Sequence, residues 1–286
     1  MLALGLLHYD LRDYEKAQSY LHRVLDQGFY SASALYYLGM TRRSQSDDAS
    51  AFEAFANVRS GGDFLPATAQ MADILRLEKR LDEALTLVQE RRANHPEQAQ
   101  DFFLVESRVL QNADLNKKAI EVLSAGLDQF PDSIKMLYTR GLIYAQEDDI
   151  PAAEADYRRV LALESDNAST LNALGYTLTD KTDRYEEARG YIEAAYALRP
   201  EDPAILDSMG WVLYKLGDRK AALGYLQRAY ERYPDPEIVA HLGEVLWQLG
   251  KKTEAKKTWR NSLKENPRSD ILLKTIKRFG LNPDTL

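Results

Sequence analysis

Side chains able to act as acids, bases or metal ligands are plentiful in this chain, but their spacing assembles no reaction centre. The four histidines, His8, His22, His95 and His241, are scattered with no metal-ligand spacing among them. Each is expected to have a structural or surface role. The carboxylate pairs Asp148-Asp149 and Glu186-Glu187 fall at inter-helix turns or first turns, where acids favour the positive end of the helix dipole. The chain has no cysteine, which excludes disulfides and thiolate nucleophiles. No G-x-x-x-x-G-K-[ST], H-E-x-x-H or G-x-S-x-G occurs. The expectation is a protein that is not an enzyme and uses no metal or cofactor, so its chemistry must be that of recognition.

Recognition needs elements to carry it, and composition points to helices. Hydrophobic residues make up 45% and charged residues 28% of 286 residues, a helix-rich balance with no run near the ~18 apolar residues of a membrane span. The opening MLALGLL lacks a basic leader and a cleavage site, so it is read as helix. The net charge of −7 is unevenly placed: residues 251–286 hold ten Lys/Arg against four Asp/Glu, which leaves −13 for residues 1–250. Such an acidic body argues against nucleic acid as a partner. The basic tail is read as a solvated terminal helix with cations at its negative dipole end, although an acidic partner or a membrane surface would also suit it.

A register repeats along the whole chain. Small residues stand at Gly5, Gly39, Ala72, Ser107, Gly141, Gly175, Gly210 and Gly243, separated by 34, 33, 35, 34, 34, 35 and 33 residues. Twelve positions after each (thirteen once) comes an alanine: Ala17, Ala51, Ala84, Ala119, Ala153, Ala188, Ala222 and Ala255. A small residue on one helix and an alanine on the next let two axes approach closely. Gly217-Asp218 and Gly250-Lys251 supply turns, while Pro96, Pro131, Pro200, Pro234 and Pro267 stop second helices. One such hairpin cannot bury both faces alone, so neighbours must stack.

This register resembles the tetratricopeptide repeat (TPR). The resemblance implies an all-α, right-handed superhelical solenoid of about eight helix hairpins over 1–267, the first one truncated, with a C-terminal capping helix and tail over 268–286. Departures are the missing aromatic in most first helices and the Gly61-Gly62 loop. On the family's pattern, positions three before the anchor, one after and four after it face a concave groove. These give Tyr138, Leu142, Asn172, Tyr176, Asp207, Trp211, Tyr214 and Trp247 as partner-binding candidates, with Trp211, Tyr214 and Trp247 as expected hot spots. The alternative is that these side chains fill the inner wall themselves. Trp259, Tyr157 and Phe55 are expected to be core. The earlier groove positions, Tyr36, Met40, Arg43, Asp73, Arg76, Arg108 and Gln111, are more charged. The Lys/Asn set with which some family members hold a chaperone's terminal carboxylate is missing from these positions, so capture of chaperone tails is not expected.

Residues 172–252 (NALGYTLTD…LWQLGKK) are similar in more detail to the C-terminal half of proteobacterial TPR proteins, many of them lipoproteins. Among these are Pseudomonas outer-membrane TPR lipoproteins that partner a carboxyl-terminal processing protease. That resemblance implies a periplasmic adaptor binding the protease and its cell-wall hydrolase substrates. Its lipid anchor would lie upstream of Met1, consistent with reading the short first helix as part of a longer protein. Alternatives are a structural subunit of an envelope or secretion assembly, a regulatory module of a larger enzyme, and a cytoplasmic location.

Overall fold

The computed structural model describes residues 1–28 and 31–286, and every regular element among them is helical. By its internal contacts the chain divides into two compact units, Met1–Met136 and Leu137–Leu286. In the first, α1 (Leu2–Asp10), α2 (Tyr14–Asp26), α3 (Ser31–Ser44), α4 (Asp48–Ala56), α5 (Phe64–Leu77), α6 (Leu81–Asn94), α7 (Ala99–Gln111) and α8 (Asn116–Gln129) pack as successive antiparallel pairs. The second takes most of α9 (Ile134–Gln146), then α10 (Ile150–Leu163), α11 (Ala168–Lys181), α12 (Tyr185–Leu198), α13 (Pro203–Lys215), α14 (Arg219–Arg232), α15 (Pro236–Gln248), α16 (Lys252–Glu265) and α17 (Asp270–Arg278). Successive helices pack on one another from α1 to α8 and from α10 to α17, and alternate first helices touch, as α11 does α13 and α13 does α15. These are stacked helical hairpins, with α17 laid against α15 and α16.

The anchor has a more specific reason than close approach of axes. It faces the large side chain sixteen or seventeen positions later in its own hairpin. A Cβ built on Gly39 would strike Phe55, on Gly141 Tyr157, on Gly175 Ile192, on Gly210 Leu226 and on Gly243 Trp259. All five of these partners are at most 1% exposed. Where the anchor is Ala72, the residue sixteen on is the smaller Val88, in the same core cluster. The alanines are equally buried: all eight, from Ala17 to Ala255, have no exposed surface.

Turns and stops follow local rules. In seven hairpins the chain leaves the first helix through a residue with positive φ: Arg12, Ser46, Lys79, Asp114, Asp148, Gly217 and Gly250. The next residue's N–H then returns to a carbonyl five back, as Arg80 does to Leu75 at 2.8 Å and Lys251 to Leu246 at 2.9 Å, closing the first helix in the Schellman manner. The DKTDRYEEA turn, with its extra residue, runs through extended Thr182 instead. Asp13, Asp47, Asp149 and Asp218 cap the following helices through their side chains. Second helices α6, α8, α12, α14 and α16 all end at a non-helical residue just before proline, because the proline ring disfavours helical geometry in its predecessor. Among the described residues no helix is long and apolar enough to cross a membrane.

Candidate functional site

In the second unit the first helices of successive hairpins form one wall of a groove. A hollow of about 360 Å³ is lined by Tyr138 and Leu142 of α9, Asn172, Ala173 and Tyr176 of α11, and Pro203, Ala204, Asp207 and Ser208 of α13. Glu237 and Ile238 of α15, with Tyr233 and Asp235 from the connection before it, close the other side. Five of the eight candidate residues therefore meet here. They do so because positions three before and one after an anchor lie four apart on one helical face, and the stack aligns those faces. A second hollow of about 420 Å³ shares Leu142, Ala173, Tyr176 and Glu237 and adds Asp180 and Lys181, so the groove continues past the first.

Two polar contacts tie its wall together. The Tyr176 hydroxyl donates to the Glu237 carboxylate, joining α11 to α15. Burial first, and then the Glu237 charge, push the Tyr176 pKa far up, so the hydroxyl keeps its proton. Behind Asp207, the Nδ1 of His241 lies 2.9 and 3.0 Å from the two carboxylate oxygens. Burial opposes charging of this buried ring, but the Asp207 carboxylate beside it, with Glu237 and Glu244 adding their charge, outweighs burial and holds its pKa above the usual value. The indole of Trp211 stacks on the same imidazole, with centroids 4.0 Å apart and 15° between planes.

The remaining three candidates lie outside this lining. Trp211, only 4% exposed, is sandwiched between His241 and Tyr214, whose ring is 5.1 Å away. The Tyr214 hydroxyl donates to Glu244 at 3.1 Å, and its pKa is pushed up to about 12 by burial and that carboxylate. Glu244 also accepts from Arg278 of the terminal helix. Trp247 stacks with Trp259 at 6.0 Å and meets Phe279 at 5.6 Å, so the end of α17 covers it. Position four after the anchor is filled from within the molecule at this end of the stack.

Eight lining residues of the first hollow fall outside the positions picked from the sequence, Glu237, Ala204, Tyr233 and Asp235 among them. Glu237 stands six before its anchor, one more i−3 step along the same face, as does Ala204. That signal was available by extending the face. Tyr233 and Asp235 sit between helices and belong to no periodic face; Asp235 is visible in sequence only as a cap before Pro236. His241 has the expected structural role, holding Asp207. In the first unit three of the charged positions satisfy one another: Arg43 reaches Asp73 at 3.1 Å and Arg76 reaches Asp73 at 2.7 Å, while Arg43 also donates to Gln70 and Arg108 is exposed. Tyr36 packs on Phe55. Among the described residues no cluster of His, Asp and Glu could hold a metal ion.

A family profile described as tetratricopeptide repeat matches residues 2–63, 104–168, 138–203 and 208–269, well over half of the sequence. The chain belongs to the tetratricopeptide repeat family. Members of this TPR family serve as protein-interaction scaffolds, and no enzyme family is indicated. A TPR repeat-containing protein of Pseudomonas aeruginosa is 43% identical over 203 residues, 71% of this chain and 34% of its own length. The chain thus spans about a third of that relative. Among solved structures, a tetratricopeptide repeat protein from Parabacteroides merdae aligns with a TM-score of 0.65 at 15% identity, over 86% of this chain and 98% of that one. PilW, a type IV pilus biogenesis factor, aligns at 0.58 and 17% identity, over 76% and 100%. Both structures share the TPR fold.

Proposed function

We propose that this TPR chain is a non-catalytic adaptor that holds an extended segment of a protein partner in the groove formed by α9, α11, α13 and α15. The observation that carries this reading is the groove itself: aromatic and aliphatic walls with amide and carboxylate acceptors along them, suited to a peptide's side chains and backbone. The finer proposal is a bacterial envelope role, at the periplasmic face of the outer membrane through a lipid anchor outside these 286 residues. There the partners are a carboxyl-terminal processing protease and its cell-wall hydrolase substrates. Support comes from the likeness of residues 172–252 to proteobacterial TPR lipoproteins and from the 43% identity to the Pseudomonas relative.

The test is reconstitution. The immobilised chain is expected to retain the protease and a cell-wall hydrolase, and its addition to the two in solution is expected to speed hydrolase degradation. Retention without faster degradation would instead indicate a structural subunit. If neither protein is retained, the protease-adaptor role is wrong.

A further inference from the structure

We infer that this groove selects a positively charged side chain, arginine or lysine, on an extended segment of its protein partner. The inference rests on the groove-binding reading above and narrows it to a chemical class. The charged residues lining the first hollow are all acidic: Asp207, Asp235 and Glu237. Asp207 is already matched by His241, and one oxygen of Glu237 is taken by Tyr176. Asp235 uses one oxygen to cap α15 at the Glu237 N–H, 2.9 Å away. That leaves a second carboxylate oxygen on Glu237 and on Asp235. The Asn172 amide oxygen adds to them, for it is buried with no donor, and an unmatched buried acceptor favours any ligand that brings an N–H to it.

No lysine or arginine lies among the residues that line this hollow. Two cations close by are turned elsewhere: Lys181 Nζ donates to Asp148 at 2.7 Å, and Arg199 donates to Ser169 at 3.2 Å. The walls fit the rest of such a side chain. Tyr138 and Tyr176 offer half-buried ring faces, and Tyr233, 60% exposed, stands at the rim. An aliphatic stem can lie along these rings while its charged end reaches the carboxylates and the π faces. A glutamate placed here would meet the like charges of Asp207, Asp235 and Glu237, with no cation in the lining to offset them. A neutral residue would leave the carboxylate charges unbalanced. Charge complementarity therefore decides the occupant.

The test uses the full chain and fluorescein-labelled, end-blocked octapeptides identical except for one central residue, which is arginine, lysine, glutamine or glutamate between leucine and tyrosine. Fluorescence anisotropy at low and raised salt reads their affinities. The arginine and lysine peptides are expected to bind about tenfold or more tighter than the glutamine peptide, with the glutamate peptide weakest and the preference shrinking in salt. In the double variant Asp235→Asn, Glu237→Gln the preference is expected to fall to about twofold or less. An asparagine still caps α15, and an amide oxygen still accepts from Tyr176, so circular dichroism should match the parent. The series on the unaltered chain decides the matter even if that variant fails to fold. Equal binding of all four peptides would overturn the charge selection and leave groove binding standing. Preference for glutamate, or no peptide bound, would also overturn it. If the protease is retained none the less, recognition lies on another surface; if it is not, the adaptor reading falls as well.

Discussion

Whether a methyl group is tolerated at a glycine depends on what that glycine faces. At Gly210 a Cβ would come within 2.5 Å of Leu226 Cγ and 3.1 Å of the Ala222 carbonyl, whereas at Gly190 and Gly224 nothing lies within 4 Å. Gly210→Ala is therefore expected to destabilise by about 1–3 kcal/mol through overpacking. Gly190→Ala and Gly224→Ala, inside α12 and α14, are expected to stabilise by about 0.5–1 kcal/mol through helix propensity. Urea melts of the three variants check this, and like signs at all three positions would show that the anchor is not a packing site. The sequence revealed where the small residues stand, but not that each answers a large side chain in its own hairpin. His241 supports a second prediction. Its pKa is raised in the fold by Asp207, with Glu237 and Glu244 adding to the effect against burial. The folded state thus binds the proton more tightly than the unfolded chain. The stabilisation is complete below the unfolded value of about 6.5 and is lost as pH rises through the higher folded value. Melting temperatures measured from pH 6 to 9 should fall more steeply for the parent than for His241→Gln; parallel curves would mean that the pair does not titrate in this range.

At the scale of the element, the turn between paired helices sets a backbone requirement that most of its residues do not meet cheaply. Lys79 has φ 64° and Gly217 has φ 94° at equivalent places. A left-handed conformation costs a residue with a Cβ about 1 kcal/mol relative to glycine. Lys79→Gly should therefore raise stability by up to about 1 kcal/mol, and Gly217→Ala should lower it by a similar amount. Differential scanning calorimetry reads both, and a destabilised Lys79→Gly would mean that the lysine side chain outweighs the backbone strain. Gly217 and Gly250 made this turn legible in the sequence. At Arg12, Ser46, Asp114 and Asp148 no residue type marks it, and only the repeat register locates it. The ends of second helices were legible wherever a proline follows. In the groove, the positions three before and one after each anchor gathered Tyr138, Leu142, Asn172, Tyr176 and Asp207 because helical periodicity alone places them. Trp211, Tyr214 and Trp247 went elsewhere because His241, Glu244 and Phe279 come to meet them. Those encounters are between elements, and no periodicity within one helix encodes them.

For the whole molecule, protection should follow burial repeat by repeat, since each hairpin depends on its neighbours. Helix α15 has an unbroken buried run from Ile238 to Leu246, whereas α1 buries only Gly5 and leaves Leu4 41% and Leu7 51% exposed. Hydrogen exchange followed by mass spectrometry is expected to show α1 exchanging first and α15 among the last; equal protection of the two would contradict a stability built from neighbouring hairpins. The matching of each glycine to its large partner has a consequence for ancestry. Because both members of a pair lie in one hairpin of about 34 residues, copying or deleting that stretch carries the solved fit with it. A gene of this kind can lengthen or shorten by in-frame duplication without reopening the problem of its interior. Exchanges that cut between an anchor and its partner would separate Gly243 from Trp259 or Ala72 from Val88, so viable recombination joints are confined to the connections between hairpins.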